Sequence, residues 1–313
     1  MKNNNYLYEA VKTLKEDRVI GIPTDTVYGL AGNAFSENAV KEIFRIKNRP
    51  LYNPLIVHTS SLDRVYEFVK SFPEELKKIA KFFWPGALTI LLEKKNIPDI
   101  VTAGSKLVGV RVPKKKITQI LLSMLDFPLA APSANKFNYI SPTTALHVKK
   151  SLEEVPFVLN GGRCDIGLES TIISFNGEKI LIHRLGAITM EMVQASTEIK
   201  VEISANDLKN ILPGSLKKHY SPNKKMLICE NLEEEIKKHA NKNFGVLSFY
   251  KFYDVKNIKV LSHSKNLEEA GKNLYFFLRE LDEMDIEIIL AENVPDYGLG
   301  VVINDKIKRA ATS

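Results

Sequence analysis

The sequence predicts an α/β protein in which a mixed sheet lies between helices, followed by a second, smaller α/β domain. Three observations carry this expectation. Short apolar runs alternate with stretches of helical periodicity through the first two thirds of the 313 residues. Two of the runs, Thr171–Phe175 and Ile180–Leu185, are joined through Asn176-Gly177, a hairpin signal that favours a mixed over a wholly parallel sheet. An aperiodic stretch rich in Pro, Gly, Ser and Lys then interrupts the rhythm before it restarts.

Taken in order, Tyr6–Arg18 has amphipathic spacing and Val19–Pro23 reads as a strand. Ser36–Asn48 reads as a helix with Ser36 as N-cap, Val40, Ile43 and Phe44 as the buried stripe, and Pro50 forbidding continuation. Leu55–His58 is a short buried strand, Pro73–Trp84 a helix broken by Trp84-Pro85-Gly86, and Ala87–Leu92 a strand. Further strands are expected at Leu107–Val112, Pro128–Ala131 and Pro156–Asn160, and helices at Ile117–Leu125, Pro142–Leu152 and Thr189–Ala195. From Val201 to Pro222 no period holds. Beyond it, Met226–Cys229, Gly245–Phe249, Lys259–Leu261 and Glu287–Ala291 read as strands, and Leu267–Met284 as a helix with a clear apolar stripe. The expected division is a first domain over 1–205, a linker over 206–225 and a second domain over 226–313.

Composition narrows the function. Apolar residues make up 44% of the chain, enough for two cores, and no run approaches a membrane span. Met1–Asn5 is polar and no secretory signal is expected, so the cytoplasm is the expected location. Cys164 and Cys229 stand far apart without a CxxC or clustered histidines, which supports neither a disulfide framework nor a structural zinc site. The net charge of +7 suits an anionic partner, a nucleotide or nucleic acid, and equally a solvated lysine-rich surface.

Polar residues crowd the ends of the buried runs. Between Ile22 and His58 stand Thr24, Thr26, Tyr28, Lys47, Arg49, Asn53 and His58. Lys47 and Arg49 have no acidic neighbour in sequence and would serve an anion. Cations in a last helical turn also offset the helix dipole, and the residues alone leave the two readings level. Ser133 and Asn135 leave the end of the Pro128–Ala131 run, where hydroxyl and amide groups suit a phosphate or carboxylate or merely cap a turn. Ser141-Pro142 reads as N-cap and first residue of a helix whose free amides would bind an anion. Arg111, flanked by valines, either points into a polar pocket or faces outward between inward Val108 and Val110. Gly161–Thr171, with Glu169 and Ser170, reads as a glycine-rich loop; Gly298-Leu299-Gly300 lacks the context of a dinucleotide fingerprint.

In one order and spacing, PTDTVYGL, KNRP, NPLIVH, WPG, VTAG, VRVP, APSAN, SPT and ESTI resemble the YrdC-type L-threonylcarbamoyladenylate synthases. With the HYSP linker and the extra α/β domain, the chain resembles their longer two-domain variety. The resemblance implies a twisted, mixed open sheet with a large basic cavity and a small Rossmann-like C-terminal domain. It implies a nucleotidyltransferase that combines L-threonine, bicarbonate and ATP into threonylcarbamoyl-AMP and pyrophosphate, with Mg2+ held mainly by the ATP phosphates. A partner transferase then modifies adenosine beside the anticodon in tRNA. Carried over by motif, Thr26, His58, Arg111, Ala131 and Ser170 would bind threonine. Arg49, Asn53, Leu107, Ser133, Asn135, Ser141 and Arg184 would bind ATP, with Ser215, His219 and Tyr220 closing the nucleotide site from the linker. Lys47 and Arg49 would act as electrostatic catalysts. Leu107 stands where a related sequence offers Thr, and Leu185-Gly186 where Pro-Gly is usual. The alternative of another class is a non-catalytic tRNA- or double-stranded-RNA-binding protein, with weak tRNA binding conceivable for the enzyme as well.

Overall fold

A computed structural model of the chain describes residues 2–204 and 220–312. The described residues fall into two compact units. The first comprises 2–137, Pro142–Cys164 and 169–204; the second comprises Asn138–Ser141, Asp165–Leu168 and 220–312. Among the described residues no helix is long and apolar enough to cross a membrane.

In chain order the first unit contains α1 (Lys2–Lys15), β1 (Ile20–Ile22), β2 (Gly29–Asn33), α2 (Glu37–Lys47), β3 (Ile56–His58), α3 (Glu74–Phe83), β4 (Leu88–Glu93), α4 (Asp99–Thr102), β5 (Leu107–Arg111), α5 (Lys116–Ser123), β6 (Leu129–Ala130), α6 (Ala145–Ser151), β7 (Thr171–Phe175), β8 (Ile180–Arg184), α7 (Met190–Ala195) and β9 (Val201–Ile203). Its strands form one mixed sheet in the order β1-β2-β6-β3-β5-β4-β7-β8-β9. The expected hairpin is antiparallel β7–β8, while β3–β5 and β4–β7 are parallel. Helices cover the sheet with two apolar clusters, one around Ile43, Leu76, Ile79, Val108 and Val110, the other around Ala10, Leu14, Ile20, Leu121 and Leu129.

Helix α2 shows how the sequence sets an end. The Ser36 hydroxyl accepts from Ala39 N at 3.2 Å, and Asn48 closes the helix in the left-handed region at φ 51°. That cap ends the helix two residues before Pro50, and Lys47 belongs to its buried face. Three expectations are corrected. Pro156–Asn160 forms no strand: Gly21 N donates to Phe157 O and Leu159 N to Gly21 O, but the pairing stops there, since Pro156 has no N–H to extend it. The helix expected from Pro142 starts only at Ala145, capped by Thr144, whose hydroxyl accepts from His147 N at 3.2 Å. Pro142 O and Thr143 O are already taken by Tyr28 N and Cys164 N, so neither can open a helix, and Ser141 is not its N-cap. Val201–Ile203, read as aperiodic, is the edge strand β9, paired with β8.

The second unit contains β10 (Lys225–Cys229), α8 (Leu232–Lys238), β11 (Phe244–Ser248), β12 (Ile258–Val260), α9 (Leu267–Glu283), β13 (Ile288–Glu292) and α10 (Leu299–Ala311). Its sheet, β10-β13-β11-β12, is parallel throughout, as expected of a Rossmann-like unit. Gly298-Leu299-Gly300 does join a strand to a helix: a Cβ on Gly300 would fall 1.8 Å from Pro295 O, so the turn into α10 demands glycine.

Candidate active site

The sheet order itself gathers the residues that sequence had scattered. Strands β6, β3, β5, β4 and β7 are successive neighbours, and their registers align His58 with Arg111 and Leu129 with His58. His58, Arg111, Thr89 and Ser170 therefore come to one end of the sheet, while Ala131 lies two residues further along, opposite Ile56.

Arg111 is 3% exposed, which overturns the outward-facing alternative. With helices on both faces of the sheet, strand alternation offers it no solvent side. Its Nε donates to Gly86 O at 2.9 Å and its Nη1 to Thr26 Oγ1 at 2.6 Å, while Nη2 lies 2.8 Å from Asp25 Oδ1. Burial pulls the Arg111 pKa down, opposed by Asp25. The Thr24 hydroxyl donates to Val27 O at 2.6 Å and lies 2.8 Å from Thr26 Oγ1. Its proton being spent, Thr26 is the donor of that pair, so toward a ligand Thr26 offers a lone pair. His58, 4% exposed, has its pKa pushed down to about 3 by burial and then by Arg111, so it is neutral, with Nδ1 at 3.2 Å from Ile56 O. Ser170 Oγ lies 2.7 Å from Thr89 Oγ1 and accepts from Arg184 Nη2 at 2.9 Å; Arg184 Nε also donates to Ser170 O at 3.0 Å.

Lys47 is 1% exposed, so the reading of a surface cation offsetting the dipole fails. Its ammonium donates to Ser133 O and Asn135 O, and Phe137 N donates back to Lys47 O at 3.1 Å. Burial, then Arg49, lowers the Lys47 pKa well below its ordinary value. Lys47 thus holds the Ser133–Asn135 loop by its backbone, a link the two motifs did not show in sequence. Arg49, 8% exposed, braces its own loop: Nη2 donates to Asn53 Oδ1 at 2.6 Å and to Pro54 O at 2.8 Å, and Nε to Asn53 O at 3.0 Å. Ala131 N donates to Ile56 O at 2.9 Å, and the Asn135 amide donates to Lys136 O at 2.8 Å.

Not every expected residue joins this group. Leu107 opens β5, four residues from Arg111 and therefore about 13 Å along the strand; its amide donates to Ser105 Oγ at 3.0 Å. Ser141 and Tyr220 belong to the second unit, where Ser141 O accepts from Arg279 Nε at 3.3 Å and the Tyr220 ring lies 5.3 Å from that of Tyr275. Ser215 and His219, with linker positions 206–219, lie outside the described residues. Sequence reasoning missed Asp25, Gly86 and Thr89. Asp25 sits inside the quoted PTDT run, and Gly86 inside WPG, read as a helix breaker and as one of the family motifs but given no site role. A Cβ on Gly86 would fall 2.3 Å from Phe83 O, so glycine is what lets the chain turn here and present the Gly86 carbonyl to Arg111.

The Sua5_yciO_yrdC family model, described as telomere recombination, matches residues 12–186, and the model of the threonylcarbamoyl-AMP synthase C-terminal domain matches residues 188–312. A threonylcarbamoyl-AMP synthase of Bacillus subtilis is 35% identical over 99% of this chain and 94% of its own length. One of Pyrococcus abyssi is 33% identical over 95% and 92%. The crystal structure of P. abyssi Sua5 complexed with L-threonine superposes with a TM-score of 0.90 at 34% identity, covering 97% of this chain and 94% of that one. The chain belongs to the Sua5/YciO/YrdC family and carries the C-terminal domain of its two-domain members.

Proposed function

We propose that the protein is a threonylcarbamoyl-AMP synthase, joining L-threonine, bicarbonate and ATP and releasing pyrophosphate. The observation that carries this reading is the pair of buried cationic groups in one unit: Arg111 with Thr26 and neutral His58, and Lys47 with Arg49 around the Ser133–Asn135 loop. Exposures of 1%, 8% and 3% for Lys47, Arg49 and Arg111 suit small anions enclosed by protein and disfavour the RNA-binding alternative, whose cations must reach a polynucleotide backbone. The full-length relatives named as synthases, and the threonine held by P. abyssi Sua5, support the same reading.

Threonine's carboxylate pairs with Arg111, its hydroxyl and backbone contacts coming from Thr26, His58, Ala131 and Ser170. The ammonium releases one proton to water, and the free amine then attacks bicarbonate carbon, forming a carbamate as water leaves. A carbamate oxygen then attacks the α-phosphorus of ATP, and the bond to the β-phosphate oxygen breaks to give pyrophosphate. Negative charge builds in both steps, so preorganised Lys47 and Arg49 stabilise them more than a general base would. Arg49, Asn53, Ser133, Asn135 and Arg184 contact ATP. The first compact unit is the catalytic domain, and the second is the C-terminal domain.

An ATP-using synthase calls for a divalent ion. Among the described residues no cluster of three His, Cys, Asp or Glu side chains could hold one, so Mg2+ is carried mainly by the phosphates. The product passes to a transferase that modifies tRNA, in the cytoplasm. Mass spectrometry of reactions containing ATP, bicarbonate and L-threonine, with serine as control, tests the reading. Threonylcarbamoyl-AMP is expected from wild type, and a loss of at least about 100-fold from Lys47→Ala or Arg49→Ala. Wild-type turnover in both variants overturns their catalytic role.

A further inference from the structure

The proposed reaction leaves one buried acid unused. Asp25, 2% exposed, stands between Thr24 and Thr26. Its Oδ1 accepts from Lys114 N at 2.8 Å and lies 2.8 Å from Arg111 Nη2. Its Oδ2 is sealed from solvent and has no hydrogen-bond partner. Arg111 Nη2 is in the same position: it meets Asp25 at ion-pair distance but directs no hydrogen bond there. The rest of the Arg111 fork is engaged, Nε by Gly86 O and Nη1 by Thr26 Oγ1.

Buried polar atoms without partners are rare in folded proteins because each forfeits its hydration. Here Asp25 Oδ2 is such an acceptor, and it stands beside a cationic group, Arg111 Nη2, that meets the other carboxylate oxygen at 2.8 Å as an ion pair outside hydrogen-bond geometry. A lone carboxylate would satisfy Arg111 but sit against the charge of Asp25; a lone cation would do the reverse. A zwitterion, with carboxylate and ammonium on one carbon, satisfies both and leaves the buried charge balanced. We propose that Asp25 is a substrate-binding residue whose Oδ2 receives the α-ammonium group of the amino acid while Arg111 takes its carboxylate. The inference deepens, and rests on, the assignment of this pocket to L-threonine. It makes Asp25 the group that distinguishes an amino acid from a simple hydroxy acid.

Calorimetric titration of wild type and Asp25→Asn with L-threonine, (R)-3-hydroxybutanoate and ATP tests it. The hydroxy acid keeps the carboxylate, methyl and hydroxyl and lacks only the ammonium. Wild type is expected to prefer threonine by at least about tenfold. Asp25→Asn is expected to weaken threonine by a similar factor and to leave 3-hydroxybutanoate and ATP binding unchanged or tighter. Equal weakening of both carboxylates overturns the proposal, because Asp25 then only orients Arg111; undiminished threonine binding overturns it too. Should Asp25→Asn fail to fold, the wild-type pair decides, and equal affinities for threonine and the hydroxy acid overturn it. If wild type ignores threonine but binds another amino acid with the same dependence on Asp25, the threonine assignment fails while the ammonium site stands.

Discussion

Arg111 in the first unit and Arg279 in the second are both buried arginines, 3% and 2% exposed, and they are held in opposite ways. Arg279, on α9, donates to Ile140 O and Ser141 O and lies 4.8 Å from the centre of the Tyr139 ring. The Tyr139 hydroxyl in turn donates to Asp282 Oδ2 at 2.6 Å, and Asp282 also accepts from Asn223 Nδ2 and Lys224 N. Burial brings the Arg279 pKa down to about 10, and two of its acceptors are the backbone carbonyls of Ile140 and Ser141. Arg111 instead touches an acid, and both groups keep a polar atom unsatisfied. Burial of an arginine therefore does not identify a site. The distinction lies in whether its network is closed by the protein or completed by a ligand.

The same substitution at both positions is the strongest way to break that comparison. Arg111→Met strands the buried Asp25 charge, and a loss of about 3–5 kcal/mol is expected in urea unfolding, together with loss of threonine binding. Arg279→Met deprives two carbonyls of their donor, with an expected loss of about 1–3 kcal/mol and an unchanged KM for threonine. A matching loss of threonine affinity in Arg279→Met would collapse the distinction. Gly86→Ala sharpens it, since relieving the clash of the new methyl with Phe83 O must shift residue 86 and the carbonyl by which it holds Arg111. A cost of about 1–3 kcal/mol and weaker threonine binding are expected from denaturation and titration.

The most gradual effect is in pH. His58 and His183 have pKa values pushed down to about 3 and about 4, against 6.5 when free, so between these limits the unfolded chain binds more protons than the folded one. Stability is expected to fall as pH drops from 7 to 5, His58 contributing about 2 kcal/mol of the loss. His58→Gln should flatten the slope of Tm against pH in this range; an unaltered slope would show that His58 is not held neutral by the site.

Much of the fold was legible because period and capping are local. Ser36 and the stripe of α2, the hairpin at Asn176-Gly177 and the helix beginning at Leu267 all stand where their residues indicated. The failures are non-local. Pro142 and Thr143 read as a helix start, and only the pairing of their carbonyls with residues 28 and 164 prevents it. Among site residues, the motifs marked Thr26, Lys47, Arg49, Arg111 and Ser170, but not what each of them faces.

The sequence by itself determined which chemistry was on hand: a cationic pair without acidic neighbours, hydroxyls at strand ends, and a motif order shared with one family. Only the tertiary structure decided how it is spent. Strand order sets Arg111 beside His58 and brings residues 85 positions apart, Thr26 and Arg111, to 2.6 Å. It also makes Lys47, for which the residues alone left a surface and an anion-binding reading level, the clamp of the Ser133–Asn135 loop. The physical reason is that burial and hydrogen-bond closure belong to the packed sheet, where desolvation decides the worth of every charge, and no stretch of chain carries that information alone.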